Sequence, residues 1–242
     1  MFDLKGKKAL VTGSSQGIGM EIAKALADCG ACVFAHGSNP SDKLDKAARY
    51  IGAQKAVTAD LTSPDAPDKL FDRTGGVDIL VLNASMQIKK PWDGYTEDEY
   101  DRHFDCNLKS TYFIIRKYVP YMKEIGWGRI VTLGSVNQYN NHPELVLYGV
   151  TKAAQKKLTE SIAPSLAPYG ITVNNIAPGA IETPRNDAAL ADDGFRKKVV
   201  SSIPAGFIGD PKDMNGAALL LCSDEGRYIT GSEIIVDGGM HL

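Results

Sequence analysis

Short apolar runs alternate with helical stretches from one end of this chain to the other. The runs fall at residues 7–12, 31–36, 55–59, 77–82, 129–133, 171–176 and 233–236. Between them lie helical patterns at 20–28, 42–51, 64–73, 96–123 with a break near Asn107, about 147–167, and 211–221. Strands that alternate with helices pair in parallel, because each strand is reached by a crossover that lies on the sheet face. The prediction is a doubly wound α/β fold with a seven-stranded parallel sheet and helices on both faces. No linker, repeat or charge block interrupts the 242 residues, so 1–242 reads as a single domain. Residues 178–209, rich in Gly, Pro and polar residues, read as an inserted mobile segment, a lid from 179 to about 209.

In such sheets ligands lie beyond the carboxyl ends of the strands, where the strand order reverses. The first strand here leads into Gly13-Ser14-Ser15-Gln16-Gly17-Ile18-Gly19. Glycines let the backbone take positive φ and approach a pyrophosphate without a Cβ in the way. The amides of the helix that follows, with its dipole, attract the phosphates. The spacing is Gly-x-x-x-Gly-x-Gly rather than the commoner dinucleotide fingerprint. A plain tight turn would use the same residues; the position after the first strand favours a nucleotide. Asp60, Asn83, Ser135 and Pro178-Gly179 all fall at strand ends. Asp60 and Asn83 also suit simple turn formers.

The second constellation is Tyr148-Gly149-Val150-Thr151-Lys152, with Ser135 upstream. A separation of four on a helix stacks Tyr148 and Lys152 on one face. An adjacent ammonium favours phenolate, which turns a phenol with an ordinary pKa of ~10 into a usable acid/base. Ser135 would hydrogen-bond a carbonyl or hydroxyl beside it. This set moves a proton at an alcohol oxygen and supplies no hydride, so a cofactor is required. A Tyr and a Lys four apart, taken alone, more often mean a half-buried ring and a solvated ammonium. The nucleotide site at the other end of the chain reverses that weighting.

The formal net charge is −2, which argues against nucleic acid as a partner. No apolar run is long enough for a transmembrane helix, and the N-terminus enters a strand pattern at once, without signal-peptide architecture. Cys29 and Cys32 form a Cys-x-x-Cys, open to a redox or metal reading; one ends a helix pattern and the other begins a strand, which favours two structural thiols. No metal site is expected. The chain reads as cytoplasmic, soluble and reduced.

The Thr12–Gly19 turn, Asn83-Ala84, Asn107, Ser135, Tyr148-x-x-x-Lys152, Pro178-Gly179, Tyr228-Ile229-Thr230-Gly231 and Asp237-Gly238-Gly239 together resemble the short-chain dehydrogenase/reductase family. Within it, the sequence is similar to sugar and polyol dehydrogenases and to members of the 3-oxoacyl-ACP reductase kind. The resemblance implies a Rossmann fold, a nicotinamide cofactor and a homotetramer. It implies that Tyr148 is the acid/base and that Ser135 binds the reacting oxygen. Lys152 would hold the nicotinamide ribose, and Asn107 would anchor a water in the proton relay. Gly13, Ser15, Gln16, Gly17, Ile18 and Gly19 would cradle the cofactor. Asp60 and Leu61 would contact adenine, and Asn83 and Ala84 the ribose region. Pro178, Gly179, Ile181 and Thr183 would line the nicotinamide. Leu82 and Ser85 depart from the family's Asn-Asn-Ala-Gly. Pro164 falls inside the helix after Lys152, where it should bend the chain.

The end of the second strand reads Ala35-His36-Gly37-Ser38-Asn39, with no acid before Asp42. An acid there would repel the 2′-phosphate of NADP. Ser38 and Asn39 would donate to that phosphate, and a protonated His36 would add charge. No Arg clamps it, and Gln16 stands where NADP users of the family often carry a basic residue; the missing acid still leans the reading to NADP, with NAD possible. After Ser135, Asn137 to His142 is almost entirely hydrogen-bonding, and Arg185 stands close to Thr183. A polar wall selects a polar ligand. The expected reaction moves a hydride between NAD(P) and a secondary alcohol or ketone of a sugar, sugar acid or polyol, with Asn137 and Arg185 touching the substrate. Reduction of 3-oxoacyl or other carbonyl substrates, and non-catalytic dinucleotide sensing, are the alternatives.

Overall fold

The computed structural model describes residues 2–242. Seven strands form one parallel sheet: β1 Lys8–Val11, β2 Cys32–Gly37, β3 Lys55–Thr58, β4 Ile79–Leu82, β5 Gly128–Leu133, β6 Ile171–Pro178 and β7 Glu233–Val236. Their order across the sheet is β3-β2-β1-β4-β5-β6-β7. The chain therefore runs outward from β1 in one direction, then returns to β1's other side at β4. That reversal is the switch point, and it opens a crevice between the ends of β1 and β4.

Side chains alternate along each strand. Ala9, Val11, Ile79, Val81, Val131 and Leu133 enter one core, with helix α1 (Gly17–Asp28), α2 (Asp42–Ile51) and α9 (Asn215–Cys222). Leu10, Leu80, Leu82 and Ile130 enter the other, with α3 (Ala66–Thr74), α5 (Ser110–Ile125) and α6 (Val146–Leu166). Leu82, where the family carries a polar residue, is thus a core side chain.

The helical region expected at 96–123 is split in two. Helix α4 is Glu97–Phe104, opened by a capping box in which Thr96 and Glu99 exchange hydrogen bonds with each other's backbone. A π-helical turn, Asp105–Lys109, joins it to α5, and this is the break expected near Asn107. Pro164 lies in the last turn of α6, which ends at Leu166; having no N–H, it leaves the Glu160 carbonyl without its usual i+4 donor.

The segment read as an inserted lid at 179–209 carries two short helices, α7 Asp187–Leu190 and α8 Asp193–Ser201. Leu190, Ile203 and Ile208 form a small core of their own. Glu182 N–H donates to Gly209 O at 2.8 Å and Gly209 N–H to Ala180 O at 3.0 Å, which close the base of the insertion. Ala180, Val199, Val200 and Met240 pack against Leu190, Ile203 and Ile208.

Candidate active site

The Gly13–Gly19 turn joins β1 to α1 at the switch point. Gly13 has φ +65°, and a Cβ there would lie 2.8 Å from Ala84 Cα. Gly19 has an ordinary φ; a Cβ there would run into the Asn83 carboxamide and the Gly13 carbonyl. Both glycines exist so that the turn can close against the end of β4. Asn83 Nδ2 donates to Thr12 O at 2.9 Å and Gly13 O at 3.1 Å, and Asn83 N–H donates to Thr12 Oγ1 at 3.0 Å. The Asn83 side chain is spent on bracing the turn. No side chain caps α1, and its first turn holds no acid. Its leading amides therefore face the crevice ready for an anion.

His36 is the brace that sequence reasoning missed. It is 2% exposed. Gly13 N–H donates to its Nδ1 at 3.1 Å, and its Nε2–H donates to Ala59 O at 3.0 Å. Burial pushes its pKa down to about 4. A protonated His36 carrying charge to a phosphate is thus ruled out: the ring is neutral and both nitrogens are engaged. Ser38 and Asn39 stand exposed just past it, and Gln16, Ser15 and Ile18 are half-buried beside the turn. Asp60 is exposed and accepts the Thr62 amide at 3.0 Å and hydroxyl at 2.9 Å, an Asx turn after β3; Leu61 is buried.

Ser135 follows β5, and Tyr148 and Lys152 lie one turn apart in α6. All three are buried. Ser135 Oγ accepts the Asn137 backbone N–H at 3.1 Å and the Asn137 side-chain amide at 3.2 Å. A hydroxyl that accepts twice keeps its own O–H to donate into the crevice. Asn137 thus acts on Ser135. Gly149 lets α6 come this close, since a Cβ there would lie 2.7 Å from Asn137 O. Gln138, expected in the polar wall, turns the other way: it bonds the Ser135 amide and the Glu233 carboxylate.

Lys152 Nζ lies 5.6 Å from the Tyr148 ring centre. It donates to Leu133 O at 2.6 Å and Gln155 Oε1 at 2.9 Å. Burial, then the nearby Arg185 charge, pushes its pKa down to about 7. Asn107, in the π-helical turn, accepts the Met86 amide at 2.7 Å through Oδ1. Its Nδ2 donates to Met86 O at 2.9 Å and Thr151 Oγ1 at 3.0 Å. The side chain fixes the 85–86 loop against α6, and the backbone carbonyl accepts the Thr111 hydroxyl at 2.9 Å.

On the opposite wall, Pro178 ends β6, Gly179 packs on Asp237, and Ile181 is buried. The Thr183 methyl lies 3.4 Å from where a Gly17 Cβ would sit, so the insertion begins directly over the glycine turn. Arg185 reaches across to donate to Ser85 Oγ at 3.1 Å and Ser85 O at 2.7 Å. The family's Gly at position 85 would offer no such hydroxyl.

Among the described residues no group of three or more His, Cys, Asp or Glu is placed to hold a metal, and no helix is long and apolar enough to cross a membrane. Cys29 and Cys32 are free thiols.

A family model described as enoyl-(acyl carrier protein) reductase matches residues 13–241. The 3beta-hydroxysteroid dehydrogenase 1 of Eggerthella lenta is 37% identical, over 99% of this chain and 95% of that protein. Gluconate 5-dehydrogenase of Gluconobacter oxydans is 34% identical, over 99% of this chain and 96% of its own length. A crystal structure of 3-oxoacyl (acyl-carrier-protein) reductase from Agrobacterium tumefaciens, with NADP bound, superposes with a TM-score of 0.94 at 36% identity, covering 98% of this chain and 95% of that one. The matched family model, these identities over nearly the whole chain and the shared fold show that the chain belongs to the short-chain dehydrogenase/reductase family of NAD(P)-dependent oxidoreductases acting on hydroxyl and ketone groups.

Proposed function

We propose that the enzyme interconverts a secondary alcohol and a ketone on a small polyhydroxylated acid or sugar, with NADP as its preferred cofactor. Tyr148 takes the hydroxyl proton in oxidation and returns it in reduction. The free Ser135 O–H donates to the same oxygen. The Lys152 ammonium favours the phenolate and offers its remaining N–H to the nicotinamide ribose. Asn107 supports the relay by holding Met86 against Thr151 of α6. When bound, the nicotinamide supplies the hydride acceptor or donor. The Gly13, Gly17 and Gly19 cradle and the uncapped end of α1 suit its pyrophosphate. Asp60, Leu61, Asn83, Ala84, Ile181 and Thr183 line the rest of that cleft. Ser38 and Asn39, with no acid before Asp42, suit a 2′-phosphate. Residues 179–209 act as the substrate lid of a single-domain enzyme.

The observation that carries the substrate reading is Arg185. Its guanidinium crosses the crevice from the insertion to Ser85 and lies near enough to Lys152 to depress its pKa. A second cation facing the reaction centre favours a substrate with a carboxylate. The gluconate 5-dehydrogenase relative supports the same class. The test compares kcat/KM for sugar acids, polyols, aliphatic ketones and steroid ketones in wild type and Arg185→Ala. Sugar acids should lead, and Arg185→Ala should cost them ~10–100-fold, the worth of a charge-assisted bond. A preference for apolar ketones that survives Arg185→Ala would overturn the reading in favour of an acyl or steroid substrate.

The enzyme further acts as a cytoplasmic homotetramer. Tyr100 of α4, Tyr112 and Phe113 of α5 and Val150 of α6 are large exposed apolar side chains on the helices that would meet a second copy.

A further inference from the structure

Gln155 sits one turn beyond Lys152 on α6, and none of its surface is exposed. A fully buried carboxamide must have its donors and acceptor met. Its Oε1 accepts Lys152 Nζ–H at 2.9 Å, and its Nε2 donates to Thr111 Oγ1 at 2.9 Å. Thr111 Oγ1 in turn donates to Asn107 O at 2.9 Å. This last bond decides the polarity of the chain. The Thr111 hydrogen is committed to the Asn107 carbonyl, so toward Gln155 the hydroxyl can only accept. The NH2 end of Gln155 must then face Thr111, and its carbonyl must face Lys152.

An ammonium has three N–H bonds at fixed angles. Two are held here, one by Leu133 O at 2.6 Å on the end of β5 and one by Gln155 on α6. Two acceptors on different elements fix the direction of the third N–H. One acceptor alone would leave the head group free to turn about it.

We propose that Gln155 is a positioning residue for the reaction: oriented by Thr111 and the Asn107 turn, it aims the third N–H of Lys152 into the crevice. The proposal rests on the catalytic reading of Lys152 above. It also gives Gln155 a hand in the Lys152 proton equilibrium, because an acceptor bonded to the ammonium favours the charged form.

The test uses the whole enzyme, with NADPH affinity read by fluorescence across pH beside kcat on an accepted substrate. Wild type should show an affinity midpoint that Lys152→Met abolishes. Gln155→Leu removes the acceptor, so the midpoint should move down and kcat should fall ~10–100-fold. Gln155→Glu keeps an acceptor and adds a negative charge. It should move the midpoint up and recover most of kcat. A purely structural role cannot move one midpoint in opposite directions. Thr111→Val, which removes the group that orients the amide, should act in the direction of Gln155→Leu and serves if that variant fails to fold. A wild-type midpoint left in place by both Gln155 variants, with kcat within twofold, would overturn the proposal alone. Persistence of the midpoint in Lys152→Met would instead reject the reading of Lys152 and this proposal with it. The binding readout needs no substrate assignment, so an error in the proposed substrate leaves the test intact.

Discussion

Replacing Lys152 with Met should stabilise the protein near neutral pH while destroying its activity. Burial and Arg185 lower the Lys152 pKa from 10.5 to about 7. At about 1.4 kcal/mol per unit, holding this ammonium in the fold costs on the order of 5 kcal/mol below pH 7 as an upper limit. Methionine removes that cost and leaves Leu133 O and Gln155 Oε1 without their donor, a loss of ~1–3 kcal/mol each. The balance runs from about 1 kcal/mol against the variant to about 3 kcal/mol in its favour. The pH dependence is the sharper signature. The folded protein releases this proton near 7 and the unfolded chain near 10.5, so between those values the unfolded state holds more protons. Wild-type stability should therefore rise with pH across that window, relative to Lys152→Met, by up to about 1.4 kcal/mol per unit. The variant's advantage should shrink and then reverse. Urea unfolding of both proteins without cofactor, at about pH 6, 7.5 and 9 and one protein concentration, measures it. Parallel curves across that range would refute the reasoning.

His36→Leu should weaken NADPH binding by ~3–10-fold, because Gly13 N–H loses its acceptor and the turn its brace; calorimetric titration reads it, and unchanged affinity would count against the brace. Gly19→Ala should lower stability by ~1–3 kcal/mol, since its methyl meets the Asn83 carboxamide and the Gly13 carbonyl; thermal unfolding measures it. NADPH should bind more tightly than NADH, by fluorescence titration of each; a clear NADH preference would move the cofactor assignment to NAD. Light scattering at low concentration should give four times the chain mass, and a monomer would remove the helix-face interface.

Much of the site was legible because its chemistry falls at strand ends and at helical spacing. Ser135, Tyr148, Lys152 and the glycine turn come together because the parallel sheet puts every carboxyl end on one edge. The second set of residues was harder to see. His36 reads as a possible cation at the end of the second strand, yet within β2 it pairs with Gly13 and Ala59, contacts set by strand pairing rather than by local pattern. Gln155 and Thr159 did leave a signal. With Tyr148 and Lys152 they make a buried polar stripe at spacings of four, three and four on one face of α6, where a core-facing stripe should be apolar. Thr111, which orients Gln155, lies 44 residues away, and only the packing of α5 against α6 discloses it. The helices of the insertion at 179–209 left little signal, because they are short and mostly polar and pack on a small cluster around Leu190, Ile203 and Ile208.

Proton transfer by Tyr148 in an NADP-dependent alcohol–ketone reaction is the step on which the proposed function stands. The direct measurement is turnover of a sugar acid with NADP, followed by absorbance of the reduced nicotinamide, in wild type and Tyr148→Phe. The variant should bind NADPH with near wild-type affinity, unfold at nearly the same temperature, and lose ~10²–10⁴-fold in kcat. Wild-type turnover in Tyr148→Phe would contradict it.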